Sequence, residues 1–185
     1  MSLNMHSQYQ VLAHLTQCLE QANIAYMLSG SVALSYYAQP RMTRDIDLII
    51  EIHNDDVIKL AQRLGNAYYF DEDMAHAAIA QESMFNILHQ DSMIKIDCIV
   101  RKNHSYRQQK FLCRQQVTFN NLALWIVSPE DLLLSKLDWL KDSRSETQFK
   151  NIANLIASVP KLDWTYIHYW AQHLGIHRLL KEIQP

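Results

Sequence analysis

Leu28-Ser29-Gly30-Ser31 and, with thirteen residues between, Asp45-Ile46-Asp47-Leu48 are the stretches that decide how this chain is read. Residues 24–28 (Ile-Ala-Tyr-Met-Leu) form a short apolar run ending at Ser29-Gly30, which predicts a buried strand. Ser31 to Ala38 predicts a helix closed by Pro40, and Ile46 to Ile52 a second strand, nearly all apolar and covered on both faces. Gly30 falls at the strand-to-helix turn. The unpaired N–H groups there, the helix dipole and the Ser31 hydroxyl suit a phosphate, and a residue without a Cβ lets it approach. The plainer alternative is a turn with Ser31 as N-cap. On a strand, residues i and i+2 face the same side, so Asp45 and Asp47 project together while Ile46 and Leu48 pack behind them. Neighbouring carboxylates on a buried strand repel and are costly to desolvate, and a pair of divalent cations removes both problems. An all-oxygen site completed by substrate phosphates suits Mg²⁺ or Mn²⁺. Solvated acids at a strand edge are the alternative.

A third acid stands in Ile94-Lys95-Ile96-Asp97-Cys98-Ile99. Alternation puts Ile94, Ile96 and Cys98 on one face and Asp97 on the other, beside Lys95 and Ile99. Alone it is an ordinary acid on a half-buried strand. With Asp45 and Asp47 it makes the set that two metals need, the third carboxylate holding the ion that activates an acceptor hydroxyl.

Around these stretches, residues 9–22 predict an amphipathic opening helix through Val11, Leu12, Leu15 and Leu19. Asn54 is an N-cap candidate before Asp55 and Asp56, and Gly65 ends that helix. Residues 84–89 and 93–100 predict two strands, and a hairpin turns at Asn120-Asn121. Ser128-Pro129-Glu130-Asp131 opens helical sequence, with helices near 130–141, 146–158 and 163–182. The expected organisation is a mixed α/β core over residues 1–128 and a helical region over 129–185 packed on it.

The 185 residues are 49% apolar and carry a net charge of −2, so no overall field draws the chain to nucleic acid or an anionic membrane. Cys18, Cys98 and Cys113 are odd in number and lie among apolar neighbours, which suggests buried thiols in a reducing compartment. The polar stretch from Met1 to Gln10 reads as no signal peptide, and no apolar run nears the roughly 20 residues of a membrane helix. A cytoplasmic location without a membrane partner is expected.

Leu28-Ser29-Gly30-Ser31, a helix, then Arg41-Met42-Thr43-Arg44-Asp45-Ile46-Asp47-Leu48 and a later third acid resembles the signature of the nucleotidyltransferase superfamily. Arg-x-Thr-x-Asp-x-Asp is similar to the AbiEii-like and minimal bacterial members, many of them parts of toxin–antitoxin systems. Ser128 to Leu137 and Arg144 to Asn151 are similar to the segments that follow the catalytic core there. The likeness runs from about residue 24 to 155. It implies an α+β nucleotidyltransferase fold, a short mixed sheet flanked by helices with a C-terminal helical region. It also implies metal-dependent transfer of a nucleoside monophosphate from a triphosphate to an acceptor hydroxyl on protein, RNA or a small molecule. Asp45, Asp47 and Asp97 would be catalytic and hold Mg²⁺ or Mn²⁺, and Gly30, Ser31, Arg41 and Lys136 would bind the nucleotide. A toxin–antitoxin partner protein is a further implication. Two departures stand out: Ser29-Gly30 replaces a frequent Gly-Gly, and Asn151 stands where an Asp is common.

Several residues carry two readings. Lys136 lies beside an apolar helical stripe, as a snorkelling lysine would, or reaches the triphosphate as the resemblance implies. Arg41 and Arg44 neutralise phosphate or balance nearby carboxylates. From Arg101 to Pro129 there is no acid, while Arg101, Lys102, Arg107, Lys110 and Arg114 interleave with Tyr106 and Phe111. That is either a polyanion surface or a solvated hairpin edge. His173 and His177 are four apart, a spacing that clamps a metal or only marks a polar helix face. The rival to an enzyme is a binding module that keeps the fold and has lost the chemistry.

Overall fold

The computed structural model describes residues 3–38, 43, 45–143 and 145–183, and the side chains of residues 3–6, 142 and 143 are left aside. The elements are α1 (Leu3–Gln21), β1 (Ala25–Ser29), α2 (Gly30–Tyr37), β2 (Asp45–Glu51), α3 (Asn54–Leu64), β3 (Tyr68–Phe70), α4 (Glu72–Ala80), β4 (Met84–His89) and β5 (Ile94–Val100). They continue with α5 (Ser105–Leu112), β6 (Gln115–Phe119), β7 (Leu122–Ile126), α6 (Pro129–Ser143), α7 (Glu146–Ser158), α8 (Trp164–His173) and α9 (His177–Ile183). The seven strands make one mixed sheet in the order β3-β4-β5-β2-β1-β7-β6. β2 is antiparallel to β1 and parallel to β5. The expected α+β architecture, a mixed sheet flanked by helices, is what the chain adopts.

Period-two alternation gives this sheet two unlike faces. Ile46, Leu48 and Ile50 of β2, Ile96 and Cys98 of β5, and Tyr26 and Leu28 of β1 are buried on one side. α1 covers that side, where the Tyr26 hydroxyl donates to Glu20 Oε1. Asp45, Asp47, Ile49 and Glu51 share the other side and are exposed or only half-buried. β2 is therefore covered on one face, not both as its apolar look suggested: three of its seven residues are acids, and they occupy the open side.

Local chemistry explains most boundaries. His53 is the N-cap of α3, in a capping box with Asp56, so Asn54 is its first helical residue and not the cap. Asn120 and Asn121, both at positive φ, make the tight turn between β6 and β7. Ser128 Oγ and Asp131 bond reciprocally at the start of α6. The final helix is two: Gly175 at φ +67° breaks it between α8 and α9. α1 starts at Leu3, six residues before the predicted start at residue 9. The buried residues form one apolar cluster running from Val11 to Leu180, so the C-terminal helices share the core of the sheet.

Candidate active site

Ser29, Asp47, Asp97 and Asn86 lie side by side across four adjacent strands, as register partners β1–β2, β2–β5 and β5–β4. Asp45 and Lys95 are partners in the next row of the same face. The three acids singled out in the sequence thus meet on one open patch of sheet, Asp47 directly beside Asp97 and Asp45 two residues along.

Gly30 begins α2 at φ +62°, with Ser29 as N-cap, so the cap is not Ser31. A Cβ on Gly30 would lie 1.8 Å from Asp47 Oδ2 and 2.4 Å from its Cγ. No other residue fits there, and the reason is this carboxylate. The backbone N–H of Ser31 donates to the Asp47 carboxylate. The turn expected to cradle a phosphate therefore meets Asp47 directly, one helix N-terminus serving the acid beside it.

Burial pushes the Asp47 carboxyl above its ordinary value, and the charge of Asp97 and, less, of Asp45 pushes it further. The Ser31 N–H and the Lys136 ammonium pull it back. Lys136, buried on α6, is thus placed to act on Asp47. Asp97 Oδ1 accepts from Asn86 Nδ2 and pairs with Lys95 Nζ at 3.1 Å. The sequence placed Lys95 beside Asp97 but not Asn86. Lys95 carried a signal, two residues from Asp97 on the same strand face, whereas the approach of Asn86 depends on the β4–β5 register.

Among the described residues, no three His, Cys, Asp or Glu side chains are gathered as a metal-holding group. The donor chemistry nonetheless fits a hard cation. Asp47 and Asp97 are adjacent carboxylates whose mutual repulsion raises a carboxyl pKa, and an ion between them removes that cost. The oxygens an ion would take are now held by Ser31 N–H, Lys95 and Asn86.

A cleft of about 590 Å³ opens between this face and helices α5 and α6. Gly30, Ser31, Asp47 and Lys136 line one end, Met84, Ile99 and Trp139 its apolar part, and Arg101, Lys102, Arg107 and Lys110 the rest. Gln148 also lines it, and among the described residues its buried Oε1 has no hydrogen-bond partner. The acid-free stretch is thus no hairpin edge over most of its basic residues. It forms α5, whose Lys110 is buried and donates to Ser135 Oγ at 2.6 Å. Arg107 pairs with Asp138 at 3.1 Å, and Arg114 lies over the rings of Phe111 and Trp125.

Arg41, Arg44 and Arg144 lie outside the described residues. Asn151 is buried on α7. His173 Nδ1 bonds Tyr169 O, and the His177 ring packs on that of His168.

No family model matches the chain, and no curated protein matches it. Solved structures do. An antigenic nucleotidyltransferase-like protein from Paracoccidioides brasiliensis superposes with a TM-score of 0.59 at 16% identity, covering 95% of this chain and 88% of that one. A lincosamide antibiotic adenylyltransferase, solved with lincomycin bound, gives a TM-score of 0.53 at 16% identity over 80% of this chain and 96% of that one. The antibiotic-resistance factor ANT(2'')-Ia gives 0.55 at 11% identity over 96% and 92%. At these identities the likeness establishes a nucleotidyltransferase fold. Among the described residues, no helix is long and apolar enough to cross a membrane.

Proposed function

We propose that this chain transfers a nucleoside monophosphate from a nucleoside triphosphate to an acceptor hydroxyl. The observation that carries the reading is the register pair Asp47–Asp97 beside the Gly30–Ser31 turn, with Lys136 lining the same cleft and acting on Asp47. The fold shared with adenylyltransferases supports it. In the step, the acceptor oxygen attacks the α-phosphorus, the bond from that phosphorus to the bridging oxygen breaks, and pyrophosphate leaves. In this reading the hydroxyl proton passes to Asp97. Ser31 N–H and Lys136 hold the triphosphate, charge and N–H donors suiting its oxygens. Arg41 is assigned to the same task by the sequence motif. Asp45, Asp47 and Asp97 would hold Mg²⁺ or Mn²⁺, which when bound supplies Lewis-acid stabilisation of attacking and leaving oxygens.

The test incubates the protein with each α-labelled triphosphate, Mg²⁺ or Mn²⁺ and host extract, and asks which molecule gains label. Label transfer that persists unchanged in Asp47→Asn would place the chemistry elsewhere. A toxin–antitoxin role, implied by the motif, belongs to the same proposal. Co-purification of a specific partner protein and growth arrest on expression would support it.

A second reading is a binding module without chemistry. Lys95 and Asn86 both engage Asp97, so that an intramolecular cation already balances it. Mn²⁺ titration separates the two. An enzyme binds the ion through Asp47, and a module of this kind shows no response that Asp47→Asn removes.

A further inference from the structure

Lys110 is the least expected side chain in the cleft. It is 2% exposed, it lines the cavity, and among the described residues it forms no ion pair. Its ammonium donates to Ser135 Oγ, whose own hydroxyl donates to Asp131 O, so a neutral group is all that meets it at short range. Arg107, one turn earlier on α5, lines the same cleft paired with Asp138 at 3.1 Å, and Asp131 and Asp138 act on Lys110 through space with the opposite charge. Burial, with the Arg107 charge next, holds the Lys110 ammonium down to about 8. An ammonium shut away from water, with no carboxylate in direct contact among the described residues, gains from an anion that completes it.

Position separates this wall from the carboxylates. Lys136 acts on Asp47, whereas Lys110 is felt by Asp131. Arg101 also lines the cleft, its guanidinium paired with Glu51. The cleft therefore has two lysine stations, Lys136 acting on Asp47 and Lys110 bonded to Ser135 of α6. Its size fits a small ligand, since cavities of roughly 300–1,000 Å³ hold drug-sized molecules. Met84, Ile99 and Trp139 give the space between the stations an apolar lining.

We propose that the α5 wall is an oxyanion subsite, in which Arg107 and Lys110 seat a phosphate or carboxylate carried by a small-molecule acceptor. The proposal rests on the nucleotidyl-transfer reading and narrows it: the acceptor hydroxyl lies at Asp97 and the anionic group at Arg107 and Lys110. A polycationic acceptor is disfavoured by the same wall.

Calorimetry on the full chain tests this with citrate and inorganic phosphate, each with and without a saturating non-hydrolysable ATP analogue. At least one anion should bind, with an affinity that the analogue changes by less than about threefold, and Arg107→Gln and Lys110→Met should each weaken it by about tenfold or more. Citrate alone points to a carboxylate on the acceptor, phosphate alone to a phosphorylated one. Displacement of the anion by the analogue overturns the subsite, because the anion then sits in the triphosphate seat. So does unaltered binding in Arg107→Gln, a partly exposed position where refolding is not at issue, or absence of binding by both anions. An RNA oligonucleotide that binds where both small anions fail would also overturn it. If the analogue gives no heat while citrate binds and Arg107→Gln abolishes that binding, the anion site stands and nucleotidyl transfer falls.

Discussion

The two ends of the cleft bury opposite charges in opposite ways. At one end Asp47 is crowded by a like-charged neighbour and relieved by a backbone N–H and Lys136. At the other Lys110 is crowded by Arg107 and relieved by the charges of Asp131 and Asp138, with a serine hydroxyl as its hydrogen-bond partner. Both groups are held in states that cost the fold free energy, one carboxyl pushed up and one ammonium pulled down. On the proposed reading the contrast teaches that the cleft is tuned for what enters it, a cation at the first end and an anion at the second.

The largest effect that would sharpen this comparison is on transfer itself. Asp47→Asn removes the acid that anchors the row without changing volume, and turnover should fall about 10³-fold or more, equivalent to roughly 4 kcal/mol in the barrier. Single-turnover assays with labelled triphosphate would read it, and wild-type rates in the variant would break the case for the carboxylate end.

Next comes Gly30→Ala. The left-handed backbone alone costs about 1–2 kcal/mol, and the new methyl drives into Asp47, so denaturant unfolding should show a larger loss than that. A neutral result would mean that Asp47 does not rest on the turn.

At the lysine end, Tyr166→Phe removes a hydroxyl that donates to the fully buried Asp131 carboxylate, at 3.0 and 3.2 Å from its two oxygens. Hydrogen bonds to charged groups are worth about 1.5–3 kcal/mol, and a loss in that range is expected by urea unfolding. Asp131 is itself pushed up, by burial above all.

The smallest effects are the pH slopes, and they have opposite windows. Asp47 binds its proton more tightly folded than unfolded, so its contribution is harmless below the ordinary carboxylate value of 3.8 and turns unfavourable as pH rises past it. Without added divalent metal, Asp47→Asn should therefore raise Tm at pH 7, the gain fading below about pH 3.8. Lys110, held near 8 against 10.5, holds its proton less tightly folded, so stability should climb between about pH 8 and 10.5. Lys110→Met should flatten that climb; Arg107, Asp131, Asp138 and Ser135 remain as the groups around the site. Identical slopes in wild type and variant would show that Lys110 is not the group responsible.

Much of the carboxylate end was legible in the chain, and little of the lysine end. Strand alternation placed Asp45 with Asp47 and set Asp97 opposite Ile96 and Cys98, because a two-residue period survives in any strand. That Asp97 meets Asp47 depends on parallel pairing of β2 with β5, which no local pattern encodes. α5 was hidden for another reason: it buries Tyr106, Lys110 and Phe111, and a lysine in a core position breaks the apolar spacing by which helices are found. The three-residue β3 was missed because so short an element shows no period, and α4 because its buried positions are the small Ala75 and Ala78, which make a weak apolar stripe. The single long helix expected after Asp163 failed at Gly175, whose positive φ outweighed the surrounding aromatic residues.

Trp139 stands 68% exposed while also forming part of the cleft wall. Trp125, Trp164 and Trp170 pack against the core instead. The molecule thus carries one indole whose emission should report on solvent at the cavity mouth, against a background of three partly buried ones. Occupancy is expected to become visible as quenching or a blue shift without any label, and Trp139→Phe supplies the blank.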